Sequence, residues 1–147
     1  MKIKFDIKNL TAFNKSLKKR FDRDALFETK RKMNRSVDIV RNHVVESIQR
    51  GAKSGETYEL YNPRRTHTAS APGQPPATDT GFLVSNVSTQ VKTQGKKVIG
   101  QIVSSAPYSV HLEFGTTKMR PRPFMQPALQ KNKRKIQKIF REGKYIK

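Results

Sequence analysis

The chain contains no cysteine. That excludes a disulfide framework, thiol chemistry and a zinc ion held by thiolates. Apolar residues are also scarce, at 34% of 147 residues, which is below the usual share for a globular chain. One domain with one modest core fits this length, with part of the chain left exposed, extended or buried only against partners. No apolar run approaches the roughly 20 residues that span a bilayer, so no membrane association is expected. The opening residues, MKIKFDIKNLTAF, lack both a continuous apolar stretch and a small-residue cleavage site, so no secretory leader is expected and synthesis in the cytoplasm fits.

Acidic residues are the third shortage. There are 11 Asp and Glu against 31 Lys and Arg, a formal charge of +20. The excess is uneven, with +8 over residues 1–50, +2 over 51–117 and +10 over 118–147. Copies of such a chain repel one another unless polyanions or acidic partner surfaces offset the field. Nucleic acid is the first candidate partner, and a solvated basic surface is the plainer reading.

Catalytic templates find little to work with. His43, His67 and His111 are scattered, and none forms an HExxH pair or a ligand-rich cluster. His111 lies near Glu113 in sequence, an arrangement that suits acid–base work only if the two face each other. There is no GxSxG elbow, P-loop or GxGxxG. Neither a catalytic residue, a cofactor site nor a metal site is expected, and the chain reads as a non-enzyme.

Hydrophobic periodicity predicts the elements. Residues 8–20 fit a short helix carrying Leu10, Phe13 and Leu17 on one face, within an N-terminal arm or helix over 1–21. A longer helix is predicted from a cap at Asp22 or Asp24 to Gln49, with Leu26, Met33, Val37, Val40, Val44 and Ile48 in one stripe and Gly51 as its stop. Residues 57–61, TYELY, alternate as a strand. Residues 62–81 hold many Pro, Gly, Ser and Thr and no large apolar side chain, which predicts an extended loop that becomes ordered in an assembly. Residues 82–92 and 96–105 read as two strands joined through Gly95. A helical turn is expected at Tyr108–Leu112. A final helix from Phe124 to Arg141 carries Met125, Ala128, Leu129, Ile136, Ile139 and Phe140 on its apolar side, with Pro127 in the first turn. The fold class is α+β: a single domain in which a long helix and a C-terminal helix cover one face of a small antiparallel sheet. Lys131, Lys133, Arg134, Lys135, Lys138 and Arg141 make that last helix a basic surface, suited to phosphate groups, an acidic protein or solvent.

Two stretches carry a resemblance. Residues 106–128, APYSVHLEFGTTKMRPRPFMQPA, are similar to the Y-A-x-x-x-E-F-G-T … x-P-F-x-x-P-A signature of the gene-product-ten-like tail-component family of long-tailed bacteriophages. Residues 69–81, ASAPGQPPATDTG, resemble a further stretch seen in one branch of that family. The matching positions are Pro72, Gly73, Pro75, Pro76, Asp79 and Gly81 in the loop, then Tyr108, Glu113, Phe114, Gly115, Thr116, Arg120, Pro121, Arg122, Pro123 and Phe124. Ser109 stands where the family has alanine, so a different local packing of that turn is expected. The resemblance implies a structural subunit of the neck or tail-completion region of the virion. It would assemble as a homo-oligomeric ring, commonly sixfold, between head connector and tail, with weak non-specific DNA contact and neighbouring connector and tail proteins as partners. No catalytic residue is carried over.

Read from chemistry alone, Glu113 is expected to accept backbone N–H groups or to pair with Arg120 or Arg122. Gly115 is expected to permit a sharp turn or a close backbone approach. Glu113, Phe114 and Gly115 are read as fold-building first and interfacial second, and the 62–80 loop the other way round. The alternative function is a monomeric basic nucleic-acid-binding module without enzymatic activity.

Overall fold

The computed structural model describes residues 1–5, 22–62, 64–95 and 97–142. Among the described residues nine elements follow in order: β1 (Lys2–Phe5), α1 (Asp22–Gln49), β2 (Thr57–Tyr61), β3 (Arg64–Thr68), α2 (Phe82–Ser85), β4 (Val87–Gln94), β5 (Lys97–Ser104), α3 (Ser109–Phe114) and α4 (Met125–Arg141). The fold is α+β, as expected. An antiparallel three-stranded sheet runs β1–β5–β4, and β2 and β3 form a separate two-stranded ribbon. No helix among the described residues is long and apolar enough to cross a membrane.

Helix α1 forms because its apolar residues recur at three and four. Met33, Val37, Val40, Val44 and Ile48 are all buried, and Leu26 is half-buried nearer the start. Asp22 and Asp24 both lie within the helix rather than ahead of it. This stripe packs on β4, β5 and α4.

Gly100 allows the closest approach. A Cβ at that position would sit 2.5 Å from Val37 Cγ1 and 2.7 Å from Met33 Sδ. Since strand side chains alternate, Ile102 shares this face with Gly100. Across the ladder Val91 pairs with Gly100, Thr89 with Ile102 and Val87 with Ser104. From the C-terminal half, Ala106, Phe124, Met125, Ala128 and Ile136 complete the core. Asn132, which interrupts the α4 stripe, is buried and donates from Nδ2 to the Ala128 carbonyl at 2.8 Å.

The structure differs from the sequence reading at three places. Residues 64–68, expected inside an extended loop, are strand β3, paired with β2 from Thr57–Thr68 to Tyr61–Arg64. Its Arg-Arg-Thr-His-Thr composition hides the strand because no apolar residue marks the alternation. Residues 82–85, expected to open a strand, form the short helix α2. There the Asn86 side chain and the Ser85 hydroxyl both donate to the Phe82 carbonyl, a local bonding pattern that competes with the ladder. The strand therefore starts at Val87. At the other terminus, Lys2–Phe5 pairs antiparallel with β5 and adds a third strand to the sheet. The expected helix over 8–20 lies outside the described residues. The β4–β5 turn is as expected, with Gly95 at φ 58°.

Candidate assembly site

The segment from Ala106 to Phe124 is built around one carboxylate. Helix α3 places Glu113 inward, only 4% exposed. Its Oε2 accepts the backbone N–H of Phe124 at 2.9 Å and of Met125 at 3.0 Å, and Oε1 accepts that of Gln126 at 2.9 Å. These are the unsatisfied donors of the first turn of α4, and the residue preceding α4 offers no side-chain cap of its own. Of the alternatives read from sequence, backbone capping is the one realised. Arg122 turns elsewhere: its Nε donates to the Ser70 carbonyl at 3.0 Å. Arg120 is exposed.

The intervening turn depends on Gly115, at φ 77°. A Cβ there would also lie 2.8 Å from the Met119 carbonyl and 3.0 Å from the Pro121 ring. Both expected reasons for a glycine therefore hold at one position. Thr116 closes the turn, its N–H donating to the Met119 carbonyl at 2.8 Å and its hydroxyl accepting the Met119 N–H at 3.0 Å. The chain then returns through Pro121 and Pro123, and the Arg122 N–H donates to the Leu112 carbonyl at 2.7 Å. Phe124 is fully buried and anchors the start of α4.

The second motif stretch meets the first here. The Gly73 N–H donates to the Pro121 carbonyl at 2.9 Å, beside the Arg122–Ser70 bond. Within the loop, Ser70 and Pro76 are buried, Pro75 is half-buried, and Pro72 and Gly73 are exposed. The segment expected to be extended is thus seated on its own chain, held by polar backbone bonds that need no large apolar side chain. Asp79 fastens it further. Its Oδ2 accepts from Arg65 Nη2 at 2.8 Å, and its Oδ1 lies 3.5 Å from His67 Nδ1. Arg65 and His67 alternate onto one face of β3. Sequence reasoning missed both because that strand was read as loop.

Between the two motifs lies an open cleft of about 440 Å³. His67, Asp79, Gly81, Leu83, Tyr108 and Arg122 are among the residues lining it. Phe82 and Tyr108 stand at its edge with ring centroids 6.2 Å apart. Burial, then the negative charge of Asp79, raises the Tyr108 phenol above its usual range. Among the described residues no three His, Asp or Glu gather closely enough to hold a metal ion.

Helix α3 buries two polar residues, Ser109 and Glu113, and packs Leu112 against the core, while Val110 and Phe114 face outward with His111. The buried polar pair is satisfied: the Ser109 hydroxyl donates to the Ala106 carbonyl at 2.7 Å. Ser109, at the position where the resemblance called for alanine, is therefore tied into the turn. Phe114 is 64% exposed and does not build the core. It separates from Glu113 and Gly115, which shape the turn into α4 and cap its start.

On α4, all six basic residues are exposed. Helical periodicity places Lys131, Arg134, Lys138 and Arg141 in one outward row, flanked by Lys135. Lys133 falls on the opposite edge, so the six do not share a single surface. Lys138 reaches Glu142 at 3.5 Å. No family model, curated protein or solved structure matches the chain.

Proposed function

We propose that the chain is a structural subunit of the bacteriophage neck or tail-completion region, assembled as a homo-oligomeric ring around the DNA path. The supporting observation is that the two separate stretches resembling the tail-component family interlock. The Gly73–Pro121 and Arg122–Ser70 bonds join them, and the carboxylate of the Glu-Phe-Gly motif caps the helix that the Pro-Phe motif begins. A motif pair that builds one rigid corner and leaves Phe82, Tyr108, Val110 and Phe114 outside it suits a subunit whose work is contact. Chemistry is not part of this role. Adjacent connector and tail proteins would be the neighbours, and basic residues would face DNA weakly or an acidic partner.

The direct test is immunogold labelling or averaged imaging of intact particles. A ring of density at the head–tail junction that the antibody marks is expected. Absence of the chain from purified virions would overturn the reading.

A second reading, a monomeric nucleic-acid-binding module, draws on the α4 row. It requires tight binding by the isolated monomer at physiological salt. It gives no role to the exposed face of α3.

A further inference from the structure

Resting on the ring reading above, we infer that the outward face of α3 receives strand β2 of a second copy, making a head-to-tail contact. Three observations carry it. The first is the apolar pair that α3 turns outward. Val110 and Phe114, one helical turn apart, are 43% and 64% exposed, and together present roughly 200 Å² of apolar surface.

The second is charge. From Ser105 to Phe124 the one carboxylate is Glu113, and it is buried on backbone donors. The turn that follows Phe114 exposes Lys118 and Arg120. The face is therefore apolar and cationic. In a chain of +20, the matching surface is local. Residues 56–61, Glu-Thr-Tyr-Glu-Leu-Tyr, hold two acids and no base. Glu56, Tyr58, Glu59 and Tyr61 are all exposed, Tyr61 by 78%.

The third is incompleteness. Strand β2 pairs with β3 alone among the described residues, and a two-stranded ribbon is marginal by itself in water. Its outer edge offers backbone groups to a partner. Strand side chains alternate, so Glu59 and Tyr61 share one face of β2, and Tyr61 brings roughly 170 Å² of exposed surface to that face. With Val110 and Phe114 this reaches about a third of the roughly 1,000 Å² that marks a specific contact, and the charged rim of Lys118, Arg120 and Glu59 supplies the remainder. Because donor and acceptor surfaces differ, the contact is heterologous, and repetition closes a ring where the rotation allows.

The absence of cysteine makes the test direct. Tyr61→Cys and Phe114→Cys variants of the full chain are treated with a short bis-maleimide, singly and mixed. Circular dichroism melts verify that each stays folded. The mixture should yield at least fivefold more covalent dimer than either variant alone, and Lys118→Glu with Arg120→Glu on the Phe114→Cys chain should remove that excess. Equal yields in all three samples, or dimers dominated by a single variant, would overturn the inference. Light scattering on the unmodified chain separates the two levels. Higher oligomers without the 61–114 crosslink leave the ring reading standing and refute this contact. A monomer at every concentration, with no crosslink, removes both.

Discussion

Glu113 and Phe124 are joined across eleven residues of sequence by a 2.9 Å bond from the Phe124 N–H to the Glu113 carboxylate. The bond ties the end of one helix to the start of another. It also explains how α4 begins without a local cap, since the carboxylate meets both the unpaired N–H groups and the positive end of the helix dipole.

Replacing Glu113 by Ala should therefore cost about 3 kcal/mol of stability, because buried donors lose a charged acceptor. Glu113→Gln keeps an acceptor oxygen but turns an amide N–H toward donors, so about 1–2 kcal/mol is expected. Urea unfolding gives both values. Amide exchange at Phe124, Met125 and Gln126 should accelerate before the rest of α4. A neutral Glu113→Ala would contradict the capping role.

Gly100 marks where α1 rests on the sheet. Gly100→Ala places a methyl group against Val37 and Met33 at distances no ordinary contact tolerates. The helix must lift or the side chains must leave their rotamers, at about 1–3 kcal/mol. Val37→Ala alone opens a cavity and destabilises too. The double variant should lose less than the sum of the singles, because each relieves the other. Strict additivity in thermal or urea unfolding would show that the two positions do not compete for space.

The Asp79 clamp is weaker. Arg65 and Asp79 are each about one-third exposed at the side chain, so solvent screens the pair and its contribution is about 1 kcal/mol or less. Its effect should be local. Asp79→Asn should leave the global melting temperature within a few degrees while speeding amide exchange across residues 69–81. The two bonds joining Gly55 to Ala69 and Ala69 to Glu56 should loosen with them. Raised salt should mimic the variant in the parent chain.

Two tyrosines should titrate late. Burial, followed by the Asp79 charge, raises Tyr108. At Tyr58 the leading cause is its hydrogen bond to the Glu56 carboxylate, at 2.8 Å. A phenol with a raised value binds its proton more tightly folded than unfolded. Its contribution is present below the ordinary tyrosine value of about 10 and is lost as pH climbs through the folded value. Absorbance at 295 nm should show a component titrating above that ordinary value. Tyr108→Phe should diminish that component and flatten the alkaline loss of stability.

Legibility from sequence followed apolar content. The α1 stripe, the β4–β5 hairpin and the apolar side of α4 were readable because Val, Ile, Leu and Met mark their periods. Strand β3 was not, since Arg65 and His67 face the loop through polar bonds and Arg64 and Thr66 face solvent. Nor was the seating of residues 69–81, which depends on backbone donors such as Gly73. Glu113 was legible as a backbone acceptor, but the choice over Arg122 required knowing that Arg122 is occupied by Ser70. Gly100 carried no signal, because a glycine in a strand says nothing of the helix above it. Phe114 misled for the opposite reason: an aromatic residue in a motif suggests a core, and its exposure becomes visible only when α3 is seen to bury Ser109 and Glu113 instead.

The basic row on α4 distinguishes the two functional readings. Lys131, Arg134, Lys138 and Arg141 lie on one side of a helix, spanning about 15 Å. Duplex DNA carries a phosphate charge roughly every 1.7 Å along its axis, so a row of this length meets several phosphates without reading bases. A subunit lining a DNA path must bind weakly and without sequence preference, because tight contact would obstruct passage. The expected result is weak association that disappears as salt rises and is equal for unrelated duplexes. Each Lys or Arg removed from the row should lower the slope of log affinity against log salt by about 0.9. Lys133→Gln, on the other edge, should change it little. Nanomolar binding by the monomer at physiological salt would instead favour the nucleic-acid-binding module. A slope indifferent to all four row residues would remove α4 from either account and leave an acidic protein neighbour as the partner that its charge requires.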